Sequence, residues 1–224
     1  MALKATIFRA NLQLADMDRN YYADHVLTLA RHPSETDERM MVRVLAFALH
    51  ANESLAFGAG IGSDEEPGLW DKDLTGAIRL WVDVGLPDEK RIRRACGRAE
   101  RVFVYSYGRG TDLWWRQSEA GLARSDNLTV VHLPQEATQA LGRLAGKGMQ
   151  LNCTVQEGQI WFGNGEESVS VEAVHLLGRA LSRAALYFNP GWPAPPELFL
   201  ARTFRLLLLE QVGALLQRVA QFPG

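Results

Sequence analysis

Acidic and basic side chains occupy adjacent stretches near the middle of this 224-residue chain. Between Glu53 and Glu89 the sequence holds nine acidic residues and two basic ones, whereas between Lys90 and Arg124 it holds nine basic residues and three acidic ones. Clustered carboxylates can bind a divalent cation, and arginines are suited to contact phosphate. The pattern indicates either a cation site beside a phosphate-contacting surface or a solvated acidic loop followed by an ordinary charged helix. The net charge of -2 conceals this segregation.

A helix is predicted just before the acidic stretch. Ser34 can cap its N-terminus, Asp37 stands in the capping-box position, and the helix should continue to about His50. Glu38 lies three residues before Met41 on the apolar stripe of this helix, so its carboxylate is predicted to face the core side. The alternative is a surface carboxylate that interacts favourably with the positive end of the helix dipole.

A β-hairpin is predicted within the acidic stretch. Residues 67–73 and 77–85 are compatible with strands, and the sequence Asp-Leu-Thr-Gly at 73–76 is a plausible turn. If residues 73 and 76 close this hairpin, Glu66 lies opposite Asp83. The two carboxylates could then share an ion, which two acids far apart on one straight strand could not.

The remaining hydrophobic pattern predicts an α+β fold in which a mixed β-sheet is flanked by helices. Alternation with a period near two predicts a first hairpin from residues 3–14 and 22–30. The other predicted elements are a strand near residue 55, a helix at 87–101, a strand at 102–107, a helix at 112–122, a strand at 128–133, a helix at 135–144 and a hairpin of 150–156 with 159–162.

Composition excludes several protein classes. With 47% hydrophobic and 22% charged residues, the chain is neither a disordered nor a collagen-like protein. Cys96 and Cys153 are too few for a disulfide scaffold, and we expect free thiols in a reducing compartment. The N-terminus resembles no signal peptide, and no window of about 18 uncharged apolar residues suggests a transmembrane helix. We therefore expect a cytoplasmic protein.

The last part of the chain, residues 172–224, contains no Lys and no Asp. Two helices are predicted there, at 174–187 and from 197 to about 222, on either side of a proline-rich turn. Packing onto the rest of the protein, oligomerisation and binding to a membrane surface are all compatible with these apolar segments. The sequence thus divides into an α+β domain at 1–171 and a helical C-terminal extension.

Four motifs occur together in the first part of the chain. They are Leu29 to Met41, the run Asp64-Glu-Glu-Pro67 leading to Trp70, Leu80 to Asp88, and Lys90 to Cys96. Over about residues 1–171 the chain resembles the bacterial YaeQ family. This resemblance implies a variant of the PD-(D/E)xK restriction-endonuclease-like fold, whose core order is helix, three strands, helix, strand. The elements predicted between residues 37 and 107 follow that order.

The resemblance also implies a catalytic site. Glu38, Glu66 and Asp83 are the carboxylates expected to bind Mg²⁺ or Mn²⁺, with Asp64 or Asp73 as alternatives to Glu66. Such a metal lowers the pKa of an attacking water and neutralises charge on the phosphate. The implied activity is that of a metal-dependent phosphodiesterase or nuclease.

One departure from the signature leaves catalysis open. Gly85 stands where the lysine of the (D/E)xK tripeptide would orient the attacking water. Lys90, in the first turn of the next predicted helix, could act as a migrated lysine or could simply be a solvated side chain. The alternative function is a non-catalytic nucleic-acid- or protein-binding module that retains the nuclease-like fold.

Nucleic acid is the partner suggested by the basic residues. Arg91, Arg94 and Arg98 lie on the helix that follows Asp83 and are predicted to contact phosphates. Four tryptophans could stack on bases or could simply pack in the core. They are Trp70, Trp81, Trp114 and Trp115.

Overall fold

The computed structural model of the protein describes residues 5–58, 61 and 65–178. It begins with a long antiparallel hairpin of strands β1 (Thr6–Asp16) and β2 (Tyr21–Arg31). Buried and exposed residues alternate along β1 because successive side chains of a strand point to opposite faces. The hairpin predicted from sequence alternation is confirmed.

The other elements largely follow the predicted order. They are α1 (Asp37–His50), β3 (Leu55–Phe57), β4 (Leu69–Lys72), β5 (Ile78–Val84), α2 (Glu89–Cys96), β6 (Ala99–Tyr107), α3 (Thr111–Leu122), β7 (Leu128–Leu133), α4 (Gln135–Arg143), β8 (Gly148–Gln156), β9 (Gln159–Gly163), β10 (Ser168–Val171) and β11 (Val174–Leu177). From α1 to β6 the order is helix, three strands, helix, strand, as the sequence predicts. The helix predicted at 87–101 is shorter, because β6 already begins at Ala99.

The described strands form two sheets rather than one. Their orders are β10-β9-β8-β1-β2 and β11-β7-β6-β5-β4-β3. The pairs β5-β6 and β6-β7 are parallel and the other pairs of the six-stranded sheet are antiparallel, so this sheet is mixed. The larger core contains residues of both sheets, α1 and α4, and the smaller core contains the opposite face of the six-stranded sheet, α2 and α3. Helices α1 and α4 therefore lie between the sheets. The predicted α+β class with flanking helices is confirmed.

Helix α1 is buried on every side. All residues from Met40 to His50 are buried, whereas the sequence predicts a single apolar stripe. Packing between two sheets explains the difference, since a helix in the centre of a protein has no solvent-facing side. Its N-cap is Thr36 and not Ser34; the Thr36 side chain accepts a hydrogen bond from the backbone N–H of Arg39.

The hairpin of β4 and β5 has a different register from the predicted one. Trp70 pairs with Trp81, and a bulge follows Asp71. The predicted turn at 73–76 forms, since the N–H of Gly76 donates to the carbonyl of Asp73, but the N–H of Asp73 donates to the carbonyl of Ala77, so the hairpin loop is one residue longer than predicted. The longer turn and the bulge together shift the pairing by two residues, and the predicted pairing of positions 66 and 83 is wrong.

The C-terminal prediction is wrong where it can be compared. Residues 174–177 form β11, which pairs antiparallel with β7, and not the start of a helix. The rest of the predicted extension, residues 179–224, lies outside the described residues. The domain boundary after residue 171 stays a prediction. No helix in the described part of the chain has the length and apolar character that crossing a bilayer requires.

Candidate functional site

Asp83 lies near the end of β5 and is only 3% exposed. Arg91 donates hydrogen bonds to both of its carboxylate oxygens, from Nη2 to Oδ1 and from Nε to Oδ2, each at 2.9 Å. The indole Nε1 of Trp81 donates a third bond to Oδ2, also at 2.9 Å. The carboxylate that was expected to bind a metal is therefore held in a bidentate ion pair with an arginine.

The N-terminus of α2 positions this arginine. Asp88 is the N-cap, and its side chain accepts a hydrogen bond from the backbone N–H of Arg91 at 2.8 Å. This cap places Arg91 in the first turn of the helix, next to the end of β5. Its Nη2 also donates to the backbone carbonyl of Glu66 at 2.8 Å. Arg91 thus connects α2, β5 and the segment that precedes β4.

Glu38 lies on the other side of the six-stranded sheet. It occupies the first turn of α1, where the hydroxyl of Thr138 donates to its Oε1 at 2.6 Å. Val82 packs in the core that contains α1, whereas Trp81 packs in the core that contains α2. Asp83 contacts Trp81 and α2, and alternate residues of a strand share a face. Asp83 therefore points away from the helix that carries Glu38.

Glu66 is half-buried in the segment before β4. Among the described residues, no three or more His, Cys, Asp and Glu side chains lie close enough together to hold a metal ion. Mg²⁺ and Mn²⁺ need several oxygen ligands around one point. Glu38, Glu66 and Asp83 are not brought together in this way, and the residues present do not fit the expected metal.

The two alternative carboxylates do not complete such a site either. Asp73 closes its own turn: its Oδ1 accepts hydrogen bonds from the hydroxyl and backbone N–H of Thr75 and from the backbone N–H of Ala77. The bond from the Thr75 hydroxyl is the main reason that the pKa of Asp73 is lowered. Asp64 lies outside the described residues.

The backbone conformation at position 85 explains why glycine stands there instead of the signature lysine. Gly85 has a φ of 103°, a backbone conformation that is strained for residues with a side chain. Its N–H donates to the carbonyl of Tyr105 at 2.9 Å, which continues the pairing of β5 with β6. Lys90 is exposed on α2, and the neighbouring Arg91 makes the contact with Asp83.

A second ionic cluster, at the start of α1, was not predicted. Glu35 and Arg43 are 4% and 1% exposed, and Nη1 of Arg43 lies 3.0 Å from each carboxylate oxygen of Glu35. Nη1 of Arg39 donates to the same carboxylate at 2.7 Å. Tyr107 lies nearby, and burial raises its pKa to about 12. Arginines within an otherwise apolar helix are the sequence signal for such a cluster, since a buried guanidinium requires an acid.

Exposed basic side chains and a half-buried tryptophan lie on the opposite face of the six-stranded sheet from α1. Trp70 is half-buried and packs edge-to-face against Trp81, at 6.5 Å between ring centroids. The Nζ of Lys72 lies 3.3 Å from the centroid of the Trp70 ring, and the Arg98 guanidinium lies 5.6 Å from that of Trp81. We call Trp70, Lys72, Arg94 and Arg98 the basic surface.

The three arginines that were predicted to contact phosphate differ in the solvent exposure of their side chains. The side chains of Arg94 and Arg98 are 39% and 40% exposed, and both pair with Glu65, whose side chain is 70% exposed. Such solvent-exposed ion pairs are weak, so another anion can replace the carboxylate. Arg91 is 16% exposed and holds Asp83. Arg94 and Arg98 are thus available to a ligand, whereas Arg91 has a structural partner.

Comparison with known proteins relates the chain to bacterial relatives. The family model described as "YaeQ protein" matches residues 1–173. The uncharacterized protein YaeQ of Escherichia coli K12 is 42% identical over 172 residues, which cover 76% of this chain and 95% of the relative. The protein of the same name from Salmonella typhi is 42% identical over 173 residues, or 77% of this chain and 96% of the relative.

Two solved structures have a similar fold. The crystal structure of the YaeQ protein from Xanthomonas axonopodis pv. citri has a TM-score of 0.75 and 47% identity, and the match covers 78% of this chain and 99% of that one. The YaeQ structure from Pseudomonas syringae has a TM-score of 0.75 and 32% identity, with coverage of 78% and 97%. On the family model, the sequence identities and the shared fold, this chain belongs to the YaeQ family.

Proposed function

We propose that this protein is a non-catalytic module that binds single-stranded nucleic acid through the basic surface. Its framework is a variant of the PD-(D/E)xK nuclease-like fold. The observation that carries the proposal is the bidentate pairing of Asp83 with Arg91, which supplies a fixed positive charge where a nuclease of this type would hold its metal.

The arrangement of the other expected ligands supports a non-catalytic role. Glu38 and Asp83 lie on opposite faces of one sheet, and Gly85 has a conformation that disfavours the signature lysine. The order of elements from α1 to β6 supports descent from the nuclease-like fold. A fold can persist after its catalytic residues have changed, because sites rather than folds carry function.

The chemistry of the basic surface supports single-stranded nucleic acid as the ligand. Proteins that bind such strands combine cationic groups, which contact the phosphates, with aromatic rings on which bases stack. Arg94, Arg98 and Lys72 supply the cations, and the exposed part of Trp70 supplies the ring. Glu65 would be displaced by phosphate on binding. A nucleic-acid ligand also agrees with the predicted cytoplasmic location.

Binding can be tested with the full chain and labelled single-stranded and duplex oligonucleotides. We expect fluorescence anisotropy to show an affinity that falls linearly with salt concentration on logarithmic scales. Arg94→Ala and Arg98→Ala should each weaken binding and lower the salt slope by about 1. Arg143→Ala, an exposed arginine on α4, is the matched control and should leave binding unchanged. Binding that is insensitive to salt, or to both surface substitutions, would overturn the proposal.

Cleavage assays test the catalytic alternative directly. The same oligonucleotides are incubated with the protein in Mg²⁺ or Mn²⁺, beside Asp83→Ala and Lys90→Ala variants. We expect no cleavage above that of buffer. Metal-dependent cleavage that disappears in a folded Asp83→Ala variant would instead support a nuclease with Asp83 in its site, and the same loss in Lys90→Ala would add Lys90.

A further inference from the structure

Strand β2 forms one edge of the five-stranded sheet. Over the described residues it pairs only with β1, and all eleven residues of β2 follow one uninterrupted register. Its other side therefore presents a straight row of backbone N–H and C=O groups. Such a row is a ready template for another strand.

The composition of β2 lacks the usual protection of a sheet edge. It contains no Pro, no Lys and no bulge, which are features that commonly prevent edges from pairing, and its charged residues are only Asp24 and Arg31. Val26 and Tyr22 are 82% and 61% exposed on the outer face of this strand. A long, regular edge with exposed apolar side chains favours pairing with another chain.

A groove runs beside β2, between it and the edge strand β3 of the other sheet. Its volume is about 490 Å³ and aromatic residues line it. Phe47 stacks on Phe57 at 5.3 Å between ring centroids, and His25 meets Phe47 edge-on at 5.2 Å. An added strand next to β2 would point every second side chain into this groove.

We propose that β2 pairs antiparallel with β2 of a second copy of the chain, across a two-fold axis at Val26. Val26 is the midpoint of the strand, so this register alone pairs all eleven residues. Asp24 then lies opposite Thr28 of the second copy, and no charged residue faces its own equivalent. A register centred on Asp24 would place two carboxylates opposite each other, which is unfavourable.

Both faces of the paired strands agree with this register. On the outer face, the two exposed Val26 side chains would cover each other. On the inner face, Leu27 of each copy is buried in its own core and lies opposite His25 of the other copy. The strand can thus pair with itself without bringing like charges together, and its most exposed valine meets its own equivalent at the two-fold axis. This proposal does not depend on the proposed function.

The oligomeric state of the full chain provides the test. We expect light scattering after size-exclusion chromatography to show a dimer that dissociates on dilution. Val26→Lys should shift the protein to monomer, because two lysines would meet at the axis, while circular dichroism stays unchanged. Val174→Lys, an exposed valine on the edge strand β11, is the control and should leave the dimer intact.

A cross-linking experiment tests the register itself. Val26→Cys should give a disulfide-linked dimer under mild oxidation, since each cysteine faces its equivalent. Thr28→Cys faces Asp24 and should cross-link far less. A protein that is monomeric at every concentration would overturn the proposal. So would a dimer that Val26→Lys leaves unchanged.

Discussion

The guanidinium of Arg91 lies 2.9 Å from each carboxylate oxygen of Asp83 and connects α2 to the end of β5. The family resemblance implied a metal ligand in Asp83, and the basic residues of the following helix suggested a phosphate contact in Arg91. In the structure the two side chains form an ion pair with each other. The segregated acidic and basic stretches are therefore partly an internal ion-pair system, in which Glu65 likewise pairs with Arg94 and Arg98.

Loss of the Arg91 side chain should destabilise the protein strongly. Arg91→Ala leaves the buried carboxylate of Asp83 without its counterion, and we expect the free energy of unfolding to fall by about 3–5 kcal/mol. Urea denaturation measures the change. Arg94→Ala, which breaks a solvent-exposed pair, should cost no more than about 1 kcal/mol. Equal losses in both variants would contradict the structural role of Arg91.

The ionic cluster at the start of α1 should be equally sensitive. Glu35→Gln leaves the buried guanidinium of Arg43 without a charged partner, so we expect a loss of about 3–5 kcal/mol in the free energy of unfolding. Glu53→Gln, at an exposed position, provides the matched control and should be nearly neutral. Wild-type stability in the Glu35→Gln variant would show that the cluster contributes little.

Burial of His50 predicts a specific dependence of stability on pH. Its Nε2 lies 2.8 Å from the hydroxyl of Tyr105, and burial, aided by the charges of Arg19 and Arg101, lowers its pKa from 6.5 to about 3. The unfolded chain therefore takes up a proton first as the pH falls below about 6.5. This residue's contribution is present above that pH and is lost towards pH 3, by up to about 1.4 kcal/mol per pH unit.

Comparison of wild type with His50→Gln isolates this effect. Unfolding free energies measured at several pH values between 4 and 7 should show a shallower slope in the variant, because glutamine does not titrate. Carboxylates contribute to the slope of both proteins and cancel in the difference. Identical slopes would mean that His50 is protonated equally easily in the folded and unfolded states.

The conformation of Gly85 can be probed by substitution. Gly85→Ala and Gly85→Lys should each lower the free energy of unfolding by about 1–3 kcal/mol, since φ is 103° there although the space around it is open. Gly97→Ala, at a glycine with φ of -80°, should be neutral or stabilising. Thermal denaturation compares the three variants. If Gly85→Lys produced metal-dependent cleavage, the proposed non-catalytic function would be wrong.

Local signals accounted for much of the secondary structure. The hairpins of β1 with β2 and of β8 with β9 were both correctly predicted. These features depend on neighbours within a few residues, which the sequence displays directly. The short strands β10 and β11 were missed because four-residue segments carry little periodicity and take their conformation from the strands they join.

The candidate site could not be predicted from such local signals. A register shift of two residues moved the pairing of β4 and β5, and a bulge after Asp71 contributes to that shift. Whether Asp83 points towards the helix that carries Glu38 depends on which helix covers each side of the sheet. Neither the register nor the covering helix is visible in the order of residues, because both result from packing between distant segments.

The sequence by itself determined the family, the α+β class and the order of elements from α1 to β6, because patterning and local motifs are properties of the linear chain. Only the tertiary structure decided that α1 lies between two sheets, that Glu38 and Asp83 face opposite sides of one of them, and that Arg91 holds Asp83. These relationships depend on which faces pack together, since burying a charge is tolerated only where folding also brings its partner.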